Sequence, residues 1–93
     1  MFVYCNTNDS PRIIGELICR ANVINNSKKS WNIINQGDSY TIQTNSTNHC
    51  VAVIYYVGDS VVGIEIDNNC ASAVIEPLIR SYGFEKVKWL LNY

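Results

Sequence analysis

The stretch Cys50 to Ile66, CVAVIYYVGDSVVGIEI, constrains the fold more than any other part of the chain. Residues 50–57 are continuously apolar and mostly β-branched or aromatic, as in a strand covered on both faces. Residues 60–66 form a second such run. Gly58-Asp59 between them predicts a two-residue turn of the II′ type, with glycine supplying the positive φ at its first position. A hairpin closed by that turn pairs Val57 with Ser60. Counting back along it, Val51 faces Ile66, Val53 faces Ile64 and Tyr55 faces Val62, an all-apolar set expected to be the main core side. The other face carries Ala52 opposite Glu65, Ile54 opposite Gly63 and Cys50 opposite Asp67. One step further, His49 (the only histidine) falls opposite Asn68, with Cys70 one diagonal beyond. The register gathers His49, Asn68 and Cys70 at the open end of the hairpin, and a one-residue slip would undo it.

The remaining elements arrange themselves around this hairpin. Residues 2–5 (FVYC) read as a short strand ended by the polar run NTND. Asp9-Ser10-Pro11 is a helix start, with a capping residue followed by proline at the first helical position. Ile13, Ile14, Leu17, Ile18 and Ala21 then recur at helical spacing as one apolar stripe. Gly15 in that helix costs about 1 kcal/mol relative to alanine, which points to close packing on the sheet. Residues 22–29 form a loop. Residues 31–35 (WNIIN) and 39–44 (SYTIQT) make a second hairpin about Gln36-Gly37-Asp38, with Tyr40 and Ile42 alternating with polar neighbours as in a half-exposed or edge strand.

Residues 45–48 connect the two hairpins. Ser72 is placed to cap a helix over 73–82, although Pro77 within it either sits in the first turn or shortens the helix to begin there. Gly83-Phe84 predicts a left-handed end with its hydrophobic contact. Residues 86–91 form the last strand. The order β-α-β-β-β-β-α-β predicts a single α+β domain over residues 1–93, a mainly antiparallel sheet of about six strands with two helices.

Composition narrows the function classes. The net charge is −1 with scattered lysines and arginines, which argues against nucleic-acid binding. Only eight acidic residues argue against an acidic mimic of nucleic acid. No apolar run reaches membrane-spanning length, and MFVYCNTNDS lacks the features of a signal peptide, so a cytoplasmic protein is expected. Cysteines 5, 19, 50 and 70 show no CxxC spacing, and with one histidine no metal or other cofactor is expected. Free thiols are the cytosolic default, ahead of a Cys50–Cys70 disulfide. Twelve asparagines and twelve isoleucines against three arginines fit AT-rich codons and a phage or mobile-element source.

The open end of the first hairpin is where chemistry could reside. Thiolates are favoured by a nearby imidazole and by a helix N-terminus, and Cys70 is expected close to both. Asn68 could orient the ring. His49 on a strand, Tyr56-Val57-Gly58-Asp59 at the turn, Asn69-Cys70 leading into a helix and Tyr82-Gly83 at its end resemble the permuted papain-type thiol hydrolases related to lecithin:retinol acyltransferase. That resemblance covers about a third of the chain. It implies His49 as base, Cys70 as nucleophile and an acyl or amide substrate. The chain departs from the family's pattern in the tight spacing between the two residues and in the Ala-Ser after Cys70.

Surplus aromatic residues point to a binding module. Tyrosine and tryptophan commonly anchor interfaces, and Tyr40 with Trp31 nearby is the best candidate patch. The simpler reading places Trp31, Trp89 and Tyr55 in the core and leaves Tyr40 open. An exposed edge strand could pair with a partner or with a second copy of the chain. The sequence is therefore read as a non-enzymatic protein acting through protein or small-ligand binding, as an inhibitor or host-directed factor. A cysteine-dependent hydrolase or acyltransferase using His49 and Cys70 is the alternative.

Overall fold

The computed structural model describes residues 1–23, 31–45, 47–58 and 60–90, with the backbone alone at 61, 62, 89 and 90. Residues 24–29 of the expected loop over 22–29, Asp59 of the turn, the Trp89 side chain and the last three residues lie outside the described part. The elements are β1 (Phe2–Cys5), α1 (Pro11–Ala21), β2 (Trp31–Asn35), β3 (Ser39–Thr44), β4 (Cys50–Val57), β5 (Ser60–Ile66), α2 (Ala71–Tyr82) and β6 (Val87–Leu90). Short 3-10 turns precede and follow α2, at Asn68–Cys70 and Phe84–Lys86. All pairings are antiparallel, in one sheet of order β2-β3-β4-β5-β1-β6. The α+β architecture follows the sequence closely. The N-terminal strand β1 inserts between β5 and β6, which leaves β2 and β6 as the edges.

Both helices contribute to one core with one face of the sheet. Val3, Ile14, Ile18, Ile42, Ile54, Ile64, Val74 and Leu78 are fully buried in it, each contributing roughly 1.5–3 kcal/mol by removal from water. The opposite face leaves Tyr4, Tyr55 and Glu65 exposed. Phe2 and Tyr4, two residues apart on that face, meet edge to face at 5.2 Å, and the Phe2 ring covers Gly63.

The expected core face of the β4–β5 hairpin is corrected. The turn end pairs Val57 with Ser60 and Tyr56 with Val61, but Tyr55 then pairs with Gly63. Val62 is an extra residue, a bulge that shifts every later pair by one. Ile54 now faces Ile64 and Ala52 faces Ile66, and these four are the core side. Val53 faces the exposed Glu65, and Tyr55 is exposed. A second irregularity, between β3 and β4, makes Val51 the extra residue and turns both Val51 and Ala52 inward.

Helix α1 begins as its sequence dictates: Ser10 accepts a hydrogen bond from the Ile13 amide, and Pro11 opens the helix. Its buried stripe is rotated from the expected one, with Pro11, Ile14, Gly15, Ile18 and Cys19 inward and Ile13 exposed. Gly15 is needed for contact, since a Cβ there would run into the Ile33 side chain.

Helix α2 starts two residues earlier than expected and has no side-chain cap, so Ser72 is a helical residue rather than the cap. Pro77 lies in its interior and cannot donate to Ala73, the carbonyl one turn back. The Asn22 amide takes over that role. It donates to Ala73 O at 2.9 Å and to Ile18 O at 2.8 Å, serving the end of α1 and the gap in α2 together. Gly83 has the predicted positive φ (81°), but its ψ of 164° is extended rather than left-handed helical, and Phe84 is exposed instead of packing back.

Candidate functional site

Two places bring together the residues singled out by the sequence. The first is the groove between α1 and the edge strand β2. Trp31 pairs with Thr44 and Tyr40 with Asn35, so they lie at opposite ends of the β2–β3 ladder, about 13 Å apart at roughly 3.4 Å per residue. They are not neighbours. Both nevertheless line the helix side. Trp31, Ile33, Cys19 and Arg20 enclose a depression of about 420 Å³. Tyr40, Ile33, Asn35 and Arg12 enclose one of about 260 Å³. Ile33 belongs to both, so the two depressions meet there.

Spacing explains the lining: Arg12, Glu16, Cys19 and Arg20 recur along one flank of the helix, and Trp31, Ile33 and Asn35 share one face of a strand. Arg12 pairs with Glu16 at 3.1 Å on the exposed surface. Tyr40 is steadied by the Tyr56 ring at 5.5 Å, and the Tyr56 hydroxyl donates to Gly37 O at 2.9 Å. This groove has an apolar floor and charged margins.

The second place is the open end of the β4–β5 hairpin. The bulge breaks the predicted cross-strand pairing of His49 with Asn68. His49 Nε2 instead donates to Asp67 Oδ2 at 2.7 Å, while Asn68 Oδ1 accepts from the Met1 amine at 3.0 Å. Cys70 still comes close, because the 3-10 turn carries it back over Asp67. Its amide donates to Asp67 O at 2.9 Å, and its Sγ lies 3.9 Å from Asp67 Oδ2. The donor atoms of His49, Asp67 and Cys70 all lie within 4.8 Å of one another, a grouping able to hold a metal ion. Sequence reasoning named His49 and Cys70 and missed Asp67. The Asp-x-x-Cys spacing was the available signal, since residues i and i+3 eclipse in a 3-10 turn.

Electrostatics separates the four free thiols. Burial pushes Cys5 and Cys19 up to about 11, with Asp9 and Glu16 adding to it respectively. Cys70 is raised by burial and then by the Asp67 charge. Cys50 is raised by burial and by Asp67 and Glu65. Asp67 is held below its ordinary range, chiefly by the His49 hydrogen bond. The carboxylate thus stands between ring and sulfur and favours the protonated thiol.

Beside this cluster is a cleft of about 390 Å³, lined by His49, Cys50, Glu65 and Asp67 among others. Comparison with family models, curated proteins and solved structures gives no match. Function must therefore be argued from these two places alone. No helix among the described residues is long and apolar enough to cross a membrane.

Proposed function

We propose that the protein is a non-enzymatic binding module whose recognition surface is the α1–β2 groove, and that it takes an extended protein segment. The observation that carries this reading is that Trp31, Ile33 and Tyr40 line adjoining depressions beside a strand at the edge of the sheet. A segment lying there can fill them with alternate side chains while its backbone pairs along the edge of β2. Arg12, Glu16 and Arg20 supply a polar margin around an apolar centre, the usual layout of an interface. Action as an inhibitor or host-directed factor needs no more than such a surface.

The test is capture from a bacterial lysate by immobilised protein, with Trp31→Ala and Tyr40→Ala as separate variants of verified fold. Each is expected to weaken capture about tenfold or more, as the loss of an aromatic anchor does. Equal capture by both variants would overturn the reading. A saturable small ligand, or a dimer seen by gel filtration and abolished by Trp31→Ala, would keep the groove and change its occupant.

The approach of His49 to Cys70 favours a second reading, cysteine-dependent acyl or amide hydrolysis. In that scheme the ring would take the thiol proton, with Asp67 in the orienting role first given to Asn68. Selective alkylation of Cys70 over Cys50 at neutral pH, lost in His49→Ala, would support it. Burial and the Asp67 charge raise both thiols, so exposure alone predicts the opposite order, with Cys50 reacting first.

A further inference from the structure

We propose that His49, Asp67 and Cys70 form a binding site for a thiophilic divalent cation, zinc being the best fit. The inference concerns the open end of the hairpin and is independent of the α1–β2 groove.

Geometry comes first. Zinc bonds of 2.0–2.3 Å in a tetrahedron place neighbouring donor atoms about 3.3–3.6 Å apart. Here the nitrogen–oxygen distance is 2.7 Å and the oxygen–sulfur distance 3.9 Å, with all three atoms inside 4.8 Å of one another. These distances bracket the tetrahedral range, so shifts of about 1 Å or less in side-chain ends complete the set. An ion there replaces the hydrogen bond between ring and carboxylate.

The backbone already holds the three donors. Asp67 N donates to Val51 O at 2.9 Å and Cys70 N to Asp67 O at 2.9 Å. His49 N donates to Thr44 Oγ1 at 3.1 Å, and its carbonyl accepts from Thr44 N at 3.0 Å. Two of the ligands are the cap and the last residue of a single 3-10 turn, and the third immediately precedes β4. Sequence distance is therefore no obstacle to assembly.

Donor chemistry selects the ion. Imidazole nitrogen, carboxylate oxygen and thiolate sulfur together suit zinc, whereas magnesium and calcium take sets built from oxygen. Aspartate and thiolate cancel the charge of a divalent ion. Three protein ligands leave a fourth position for water, and His49, whose side chain is 55% exposed, leaves the site open to solvent. The neighbouring cleft offers room for a molecule bound at that fourth position.

Cobalt is the probe, because its spectrum reports both geometry and sulfur ligation. The reduced full chain, freed of metal, is titrated with Co²⁺ and then with Zn²⁺. One equivalent of cobalt is expected to give the intense visible bands of a tetrahedral site and a near-ultraviolet thiolate-to-cobalt band, both abolished by one equivalent of zinc and untouched by excess magnesium. Cys70→Ser removes the thiolate band, and His49→Ala and Asp67→Asn each weaken binding about tenfold or more. Cys50→Ser leaves the spectrum unchanged.

Circular dichroism of each variant separates loss of the site from loss of the fold, and His49→Gln serves if the alanine variant does not fold. An octahedral spectrum without the thiolate band, binding that never saturates near one equivalent, or a thiolate band that survives Cys70→Ser would overturn the assignment. Loss of the band in Cys50→Ser would overturn it equally.

Discussion

The two hairpins share a Gly-Asp-Ser turn sequence and differ in how their strands keep register. Strands β2 and β3 pair without interruption from Trp31–Thr44 to Asn35–Tyr40. Strands β4 and β5 slip at Val62, after only two pairs from the turn. The reason is in the side chains. SYTIQT alternates, so only one register buries Ile42 and leaves its polar neighbours out. CVAVIYYV is apolar at every position, and a run with no alternation accepts either face. The second strand keeps the same face in either register, with Ile64 and Ile66 buried and Glu65 exposed, so the bulge changes only the β4 set, turning Ile54 inward and Val53 outward.

The sharpest way to break this contrast is to truncate neighbours on β4. Ile54→Ala is expected to cost about 2–5 kcal/mol, as removal of a fully buried isoleucine does. Val53→Ala, on the solvent side, should cost about 1 kcal/mol or less. Denaturant unfolding of the two variants measures the difference, and a reversed order would restore the unbulged register.

Next come the glycines. Gly63→Ala pushes into the Phe2 ring and is expected to cost about 1–3 kcal/mol by overpacking. Gly37→Ala meets no atom within 4 Å, but its φ of +95° carries a backbone cost of about 1–2 kcal/mol. The added substitution Phe2→Ala should relieve the first and leave the second unchanged, a double-mutant cycle readable from thermal midpoints.

Smaller still, Tyr56→Phe removes the hydroxyl bond to Gly37 that ties the two hairpins together, worth about 0.5–1.5 kcal/mol. Tyr55→Phe, whose hydroxyl reaches Glu65 only at 3.4 Å on the exposed face, should fall within about 0.5 kcal/mol of the parent.

The smallest effect is in pH. The lowered Asp67 carboxyl favours the folded chain above its ordinary value of 3.8, and this contribution fades as pH falls through the depressed value. Asp67→Asn is therefore expected to be slightly less stable than the parent at neutral pH, with the difference vanishing as pH falls through the depressed value. Acid unfolding followed by circular dichroism checks it.

Every strand and both α-helices were legible in the sequence, from Ser10-Pro11 for α1, Gly58 for the β4–β5 turn, the apolar stripe of α2 despite its mistaken cap, and polar runs elsewhere, while the two 3-10 turns were not. Faces were harder to read. A bulge inserts one residue with no composition of its own, and Val62 looks like any other strand valine. The same slip hid Asp67 as the partner of His49, although the 3-10 turn preserved the approach of Cys70. Trp31 and Tyr40 border one groove, but as its two ends rather than as the neighbours that a single aromatic patch requires.

Asn22 and Pro77 together make one helix conditional on another. Without the Asn22 amide, the Ala73 carbonyl has lost its helical partner, and that amide lies 51 residues away along the chain. Short helices are marginal on their own, and this one in addition has a proline in its interior and no side-chain cap. An excised α2 peptide should therefore be largely unstructured in water. During folding, amide protection in α2 should arise no earlier than the docking of α1, so a segment that looks local in sequence inherits the slower timing of a long-range contact.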